Sequence, residues 1–366
     1  MSKPGRILMF VGWKVKKCND IPTDLQPPDY DCKGKLYWFF RHLPGEEIEV
    51  DVVDNSCALG LWELFEKKTL HLYLWQGLRK LRRLKNYDLI ISHGAQSAVV
   101  LAFLRSLIGV RFPPHIIIDI GSLNGGRKKK GELALFRLAM KSVDGIIYHV
   151  KQQKLHYQKY FPDIVKKSRF VPFGPDLDLF SINKCEPNED YLLSIGYAKR
   201  DWKTLISAYE RLSSPKPGLR ILGDSRPICG SLPKGVNATG KVSFIDMKGQ
   251  IAGARFIVIP LPSPRYAVGQ MTVLQSMAMG KAVIVSRVPS MIDYVTDYHD
   301  ALFYTPADVN DLRDKMELLI RNPGMAKGIG YNARITIERK FNEPVMAKQI
   351  WEAISEMAVV PVPREK

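Results

Sequence analysis

The sequence predicts an α/β protein made of two doubly wound, Rossmann-like domains. Short β-branched runs alternate with helix-period stretches from residue 6 onward. The alternation then starts afresh after a polar stretch, Ser181–Asp190. At 366 residues, 46% hydrophobic and 10% aromatic, the chain can bury two cores.

The elements follow in order. Arg6–Gly12 (RILMFVG) reads as a strand, Lys35–Leu43 (KLYWFFRHL) as a helix and Glu47–Asp54 as a strand. Leu59–Leu84 is helical over most of its length. Asp88–Ser92 is a strand closed by His93-Gly94, and Ala95–Ile108 is a helix. His115–Ile120 is a buried strand, Leu133–Lys141 a helix and Gly145–Val150 a strand. The Pro- and Gly-rich RFVPFGPDLDLF, ending at Phe180, closes the first half, and Phe180–Asp190 reads as the linker. Tyr191–Ile195 is then a strand, Trp202–Leu212 a helix and Leu219–Leu222 a strand closed by Gly223-Asp224. Phe256–Ile259 is a strand, Thr272–Met279 a helix stopped by Gly280, and Ala282–Val285 a buried strand. A last helix, Pro344–Met357, follows the second sheet.

Bulk properties narrow the function. The longest apolar runs, such as Ala98–Leu104 and Phe256–Leu261, are far too short for a membrane span. The N-terminus lacks a signal-peptide pattern, and the five cysteines are odd in number without metal-ligand spacing, so no metal site is expected and a cytoplasmic location is. The net charge of +17 is concentrated in residues 1–180, with 29 basic and 18 acidic side chains. Such a surface suits nucleic acid, anionic lipid or phosphorylated small molecules. Nucleic acid is disfavoured, because the chain lacks the interleaved aromatic and basic pattern of a known module.

Gly269 to Ser286 (GQMTVLQSMAMGKAVIVS) carries the sharpest chemical signal. A glycine turn that opens a helix between two strands directs backbone N–H groups and the positive helix end at one spot, which suits phosphate. LQSMAMGKAVIV (Leu274–Val285) resembles the "LEAMA-x-GKPVV" segment of the retaining GT-B glycosyltransferases of the large family four. SIGYAKRDWKTLISAYERL, LRILGD, RFVPFGPDLDLF and FNEPVMAKQIWEAI are similar to further segments of that family, so the resemblance covers most of the chain.

The resemblance implies a GT-B fold with an acceptor-binding domain at 1–180, joined by the C-terminal helix 341–366, and a nucleotide-sugar domain at 181–340, facing each other across a central cleft. It implies a nucleotide diphosphate sugar as co-substrate, a metal-independent reaction, and a lipid-linked or glycan acceptor at the inner membrane face. The donor diphosphate falls to the backbone of Met271 and Thr272, the Thr272 hydroxyl, Arg200 and Lys199, with Gly196, Gly269, Gln270 and Gln275 as further donor contacts. Gly12 would let its loop approach the diphosphate, His93 would meet the transferred sugar, and Asp119 would orient or deprotonate the acceptor. Where the family carries two glutamates, this chain has Ala267 and Gln275; Ala267 cannot bind a sugar, and Gln270 or Tyr266 stands nearest to replace it.

Plainer readings stand beside these. Asp119 also fits as the cap of the Gly121-Ser122 turn, Arg200-Asp201 as an ion pair at a helix start, and Gln275 as an ordinary helix-face residue. Arg79, Lys80, Arg82 and Arg83 form either a solvated helix face or, with Lys14, Lys16, Lys17 and Arg127–Lys130, an adhesion surface for an anionic membrane. A nucleotide-sugar epimerase of the same fold is the alternative enzyme, and a basic nucleic-acid-binding protein the alternative of another class.

Overall fold

The β-branched runs of each half build one six-stranded, all-parallel sheet. A computed structural model describes residues 5–43, 48–56, 73–108, 113–123, 130–181, 190–197, 199–223, 231–262 and 268–358. Its contacts divide the chain into two units, Met1–Pro172 with Met346–Lys366, and Phe173–Val345.

In the first unit the strands are β1 (Arg6–Val11), β2 (Lys16–Cys18), β3 (Tyr30–Cys32), β4 (Glu49–Val53), β5 (Leu89–His93), β6 (His115–Asp119), β7 (Gly145–Tyr148) and β8 (Ser168–Phe170). The main sheet runs β4-β1-β5-β6-β7-β8, while β2 and β3 pair separately. Every residue of β5, β6 and β7 is buried. That is why these segments read as continuous Ile and Leu runs rather than as alternation. Helices α1 (Leu74–Lys80), α2 (Ala95–Ile108), α3 (Lys130–Lys141) and α4 (Gln153–Tyr160) follow the strands.

Two expected elements differ. KLYWFFRHL is a single short 3-10 turn, Trp38–His42, not a helix over Lys35–Leu43. Trp38, Phe39 and Phe40 are all buried, and a stretch that buries three successive large rings leaves no solvent face for a helix period. Of the Leu59–Leu84 helix, α1 and a 3-10 turn, Leu81–Asn86, are seen, and residues 57–72 lie outside the described residues.

The second unit contains β9 (Tyr191–Gly196), α5 (Trp202–Glu210), β10 (Gly218–Gly223), β11 (Val236–Thr239), α6 (Phe244–Gly253), β12 (Ile257–Ile259), α7 (Gln270–Ala278), β13 (Val283–Ser286), α8 (Pro289–Ile292), β14 (Leu302–Tyr304), α9 (Val309–Arg321) and α10 (Pro323–Lys340). Its sheet order is β11-β10-β9-β12-β13-β14. Asp201, Ser243 and Asp308 cap α5, α6 and α9 by accepting backbone N–H bonds in the first turn. The signals for α9 and α10 (Asp308 before an amphipathic run, then Asn322-Pro323) are present in a stretch to which the sequence reading assigns no element. The unit division falls inside α11 (Glu343–Met357), whose Met346, Ala347, Ile350 and Ile354 are buried.

Both sheets reverse their winding once. In the first unit the chain steps from β1 outward to β4 and then back across to β5. In the second it steps from β9 out to β10 and β11, then back to β12. The carboxyl ends of β1 and β5, and of β9 and β12, are therefore the topological switch points where open α/β sheets bind ligands.

Candidate functional site

At the second unit's switch point, Gly196 ends β9 and Arg200 folds back over it. The Arg200 Nε donates to the Ile195 carbonyl at 3.0 Å, and its Nη2 donates to the Thr272 hydroxyl at 3.3 Å. A Cβ on residue 196 would lie 2.1 Å from the Arg200 Nε, so glycine there makes room for the guanidinium. Lys199, exposed, holds a left-handed backbone with φ +51 and turns the chain into α5. Asp201 caps α5 through the Thr204 N–H at 3.1 Å and Thr204 hydroxyl at 2.6 Å. Asp201 is thus a helix cap, while Arg200 bonds the Ile195 carbonyl and the Thr272 hydroxyl. Burial pulls the Arg200 guanidinium down to about 10, which leaves it cationic at neutral pH.

Gly269, with φ +90, opens α7, and a Cβ there would come within 2.8 Å of Leu261. Val273 N–H makes the first bond back into the helix, to the Gly269 carbonyl at 3.1 Å. Gln270, Met271 and Thr272 precede it, and the N–H groups of a first turn have no helical carbonyl to meet. Met271 is exposed, Thr272 half-buried, and Gln270 and Gln275 are buried at 8% and 6% exposure. Tyr266 and Ala267 lie outside the described residues.

In the first unit Gly12 follows β1 and His93 ends β5; Val11 and His93 are register partners on adjacent strands. Gly12 has no left-handed φ, and a Cβ on it would meet only Tyr73 at an ordinary 3.7 Å. Its carbonyl accepts from Asn55 Nδ2 at 2.7 Å. His93 packs edge-on against Trp13 and Trp38, with ring centroids 4.8 and 5.3 Å apart. Burial first, and the neighbouring His149 second, lower the His93 imidazole to about 3. It is therefore neutral at pH 7.

Asp119 departs from the expected catalytic role. It is fully buried. Its Oδ1 accepts from Gly121 N at 3.1 Å, Ser122 Oγ at 2.8 Å and Leu123 N at 3.3 Å. Its Oδ2 accepts from Tyr157 OH at 2.6 Å and Gln153 Nε2 at 3.2 Å. Both oxygens are occupied by the protein, leaving none to take an acceptor proton. The side chain caps the turn after β6 and ties α4 to the sheet; burial first, and the Asp119 charge second, raise Tyr157 well above its usual range.

Among the described residues, the buried side-chain atoms without a hydrogen-bond partner are Asn55 Oδ1, Gln76 Oε1, His93 Nδ1 and Gln270 Nε2. An orphaned buried polar atom calls for an explanation such as a ligand or water. All four lie at the two switch points. Gln76 Nε2 donates to the carbonyls of Val11 and Val53, both at 2.8 Å, which places it under the ends of β1 and β4. Asn55, Gln76 and Trp13 escape the sequence reading; Asn55 carries a usable signal, since it stands just beyond a predicted strand's carboxyl end.

Residues 190–322, which contain the second sheet, match the family described as Glycosyl transferases group 1. An uncharacterized glycosyltransferase, MJ1178, of Methanocaldococcus jannaschii is 27% identical over 124 residues; the match spans 33% of this chain and 34% of that protein, about a third of its length. Among solved structures, sucrose-phosphate synthase from Thermosynechococcus elongatus superposes with a TM-score of 0.67 at 15% identity, covering 96% of this chain and 98% of that one. A glycosyltransferase from Rickettsia africae gives a TM-score of 0.69 at 13% identity, over 94% and 98%. Anabaena Alr3699/HepE in complex with UDP-glucose gives 0.67 at 14%, over 96% and 99%. The chain therefore has the two-domain GT-B fold of glycosyltransferases, and its residues 190–322 match the group 1 family of those enzymes.

Proposed function

We propose that this protein is a retaining glycosyltransferase that moves a sugar from a nucleotide diphosphate sugar to a lipid-linked or polysaccharide acceptor. The observation that carries the reading is Arg200, held cationic against the Thr272 hydroxyl at the start of α7, at a sheet switch point. A leaving diphosphate needs charge neutralised as the glycosidic bond breaks. Arg200, the exposed Lys199 and the N–H groups at the start of α7 supply it, so in this reading no metal is required and chelator leaves the rate unchanged. The UDP-glucose and UDP complexes of Anabaena Alr3699/HepE among the structural neighbours support a uridine diphosphate donor as the first to try.

Retention fits front-face attack, in which the leaving phosphate oxygen takes the acceptor proton. That chemistry needs no protein carboxylate, which agrees with Asp119 being occupied as a turn cap. His93, neutral, serves as a hydrogen-bonding group for a sugar hydroxyl and not as a general base. The basic charge of residues 1–180 supports peripheral attachment to the inner face of an anionic membrane in a cytoplasmic enzyme. No helix among the described residues is long and apolar enough to cross a membrane.

The deciding experiment is a thermal-shift screen of nucleoside diphosphates and their sugars, followed by product analysis with the best donor. A ligand of the native state raises stability with the logarithm of its concentration over Kd. Absence of a shift with every nucleotide, with no sugar transferred, would sink the reading.

A further inference from the structure

Two of the five cysteines face each other across the small β2–β3 ribbon. Cys18 and Cys32 are register partners on adjacent parallel strands, and the Lys33 N–H donates to the Cys18 carbonyl at 2.9 Å, which fixes that register. Neighbouring strands lie about 4.8 Å apart, and paired residues share one face of the pleat. A disulfide needs Cα atoms roughly 4.4–6.8 Å apart, so the pairing falls within reach of one. Both thiols are free. The Cys18 Sγ donates to the Lys16 carbonyl at 3.6 Å. The Cys32 Sγ donates to the Asn19 carbonyl at 3.2 Å, so it already reaches over to the residue after Cys18.

The two thiols differ in access. Cys32 is buried at 6% exposure, whereas Cys18 is half-buried and opens on a surface recess lined by Lys17, Asn19, Asp31 and Lys33. Lys17 pairs with Asp31 across the ribbon, and Lys33 stands at the same recess. A partly exposed thiol among ammonium groups is the setting in which a small anionic disulfide reacts, while a buried thiol is protected from direct attack. The stretch between the cysteines also anchors its surroundings. It contains Pro28, whose carbonyl accepts from Trp13 Nε1 at 3.1 Å and from Tyr37 OH at 2.7 Å.

We propose that Cys18 and Cys32 are a reversible dithiol–disulfide pair, a site of oxidative modification by low-molecular-weight disulfides such as glutathione disulfide. Cys18 is the entry thiol and Cys32 the resolving one. The Cys18 sulfur attacks one sulfur of glutathione disulfide; that S–S bond breaks, and the first glutathione leaves as its thiol with the proton Cys18 gave up. The Cys32 sulfur then attacks Cys18 Sγ, and the second glutathione leaves with the proton from Cys32. Two protein thiols are oxidised, and one glutathione disulfide is reduced to two thiols. Disulfides in a reducing compartment are mostly transient and redox-sensing. This one closes the loop on which Trp13 and Tyr37 are anchored. The proposal goes beyond sugar transfer and does not depend on it.

The test is differential alkylation of the native full-length protein, first reduced and then incubated with glutathione disulfide. Both cysteines lie on one tryptic peptide, Cys18–Lys33, so mass spectrometry reads the pair directly. Wild type yields this peptide unalkylated and lighter by the two thiol hydrogens, and dithiothreitol restores both alkylated thiols. Cys32→Ser stops at a glutathione adduct on Cys18, whereas Cys18→Ser leaves the buried Cys32 unmodified. The proposal fails if the native protein keeps both thiols under conditions that oxidise the urea-unfolded chain. It also fails if wild type accumulates the glutathione adduct instead of the internal disulfide, or if Cys18 links to Cys57, Cys185 or Cys229.

Discussion

Arg200 reaches Thr272 only because residue 196 is glycine, and the pair tests the donor assignment directly. Arg200→Ala and Thr272→Val each remove one contact to a charged diphosphate, expected to cost about 1.5–3 kcal/mol of binding without unfolding the protein. Calorimetry with UDP reads the loss; unchanged affinity in both variants would remove the diphosphate from this site. The histidines make a second prediction at the same scale. Burial keeps His93 uncharged down to about pH 3 and His115 down to about pH 4, and it lowers His149 as well. The unfolded chain takes up these protons below about pH 6.5. Stability is thus full above pH 6.5 and falls with acidity, by at most about 1.4 kcal/mol per pH unit for each histidine. Denaturant titrations between pH 7 and pH 4.5 should show this slope, shallower in His115→Gln. An identical slope in that variant would assign the acid loss to carboxylates instead.

Turns at the strand ends set up the second unit's site. Gly223, with φ +152, lies so close to β9 that a Cβ would be 1.9 Å from the Gly196 carbonyl oxygen, which is backbone and cannot yield. At Gly269 the obstacle is Leu261, a side chain, together with a left-handed φ. Gly269→Ala should therefore fold with a loss of about 1–3 kcal/mol, the scale of one strained backbone position, and should weaken UDP binding by shifting the start of α7. Gly223→Ala should give little folded protein. Thermal melts and UDP calorimetry check both, and a Gly269→Ala protein with wild-type UDP affinity would disconnect α7 from the nucleotide. The turn after β6 illustrates the opposite case. Asp119 looked like a reactive group because of its place at a strand's end, yet the local N–H groups of Gly121 and Leu123 consume it.

For the molecule as a whole, the net charge of +17 bears on where it works. Replacing Arg79, Lys80, Arg82 and Arg83 by Gln should reduce sedimentation with phosphatidylserine-rich vesicles, by up to about 1 kcal/mol per charge near the surface. Arg83 is exposed and Lys80 half-buried; the Arg79 and Arg82 side chains, like residues 124–129, lie outside the described residues. Salt should weaken the interaction, because the screening length is about 8 Å at physiological ionic strength. Wild type that ignores such vesicles at low salt would leave this face merely solvated.

The amino-acid order alone determined the two alternating halves, most strand positions and the opening of α7. These depend on local properties: β-branched runs, helix periods, and glycine as the residue that starts or stops a helix. Ala95–Ile108 was legible to the residue, because one apolar period runs between clear breakers. The placement of single positions was legible where it depended on nearness to a strand's carboxyl end, as for His93 and Arg200. Only the tertiary structure decided which polar groups are already satisfied. Asp119 and His93 have equivalent places at adjacent strand ends, yet five protein donors fill the first and none reaches Nδ1 of the second. The donors that fill Asp119 include Gln153 and Tyr157, more than thirty residues away in the chain. Likewise, Asn55, Gln76 and His93 come together only when β1 lies between β4 and β5. Pairing across sequence distance is a property of strand order, and strand order is set by how whole helices and strands pack, not by any local run of residues.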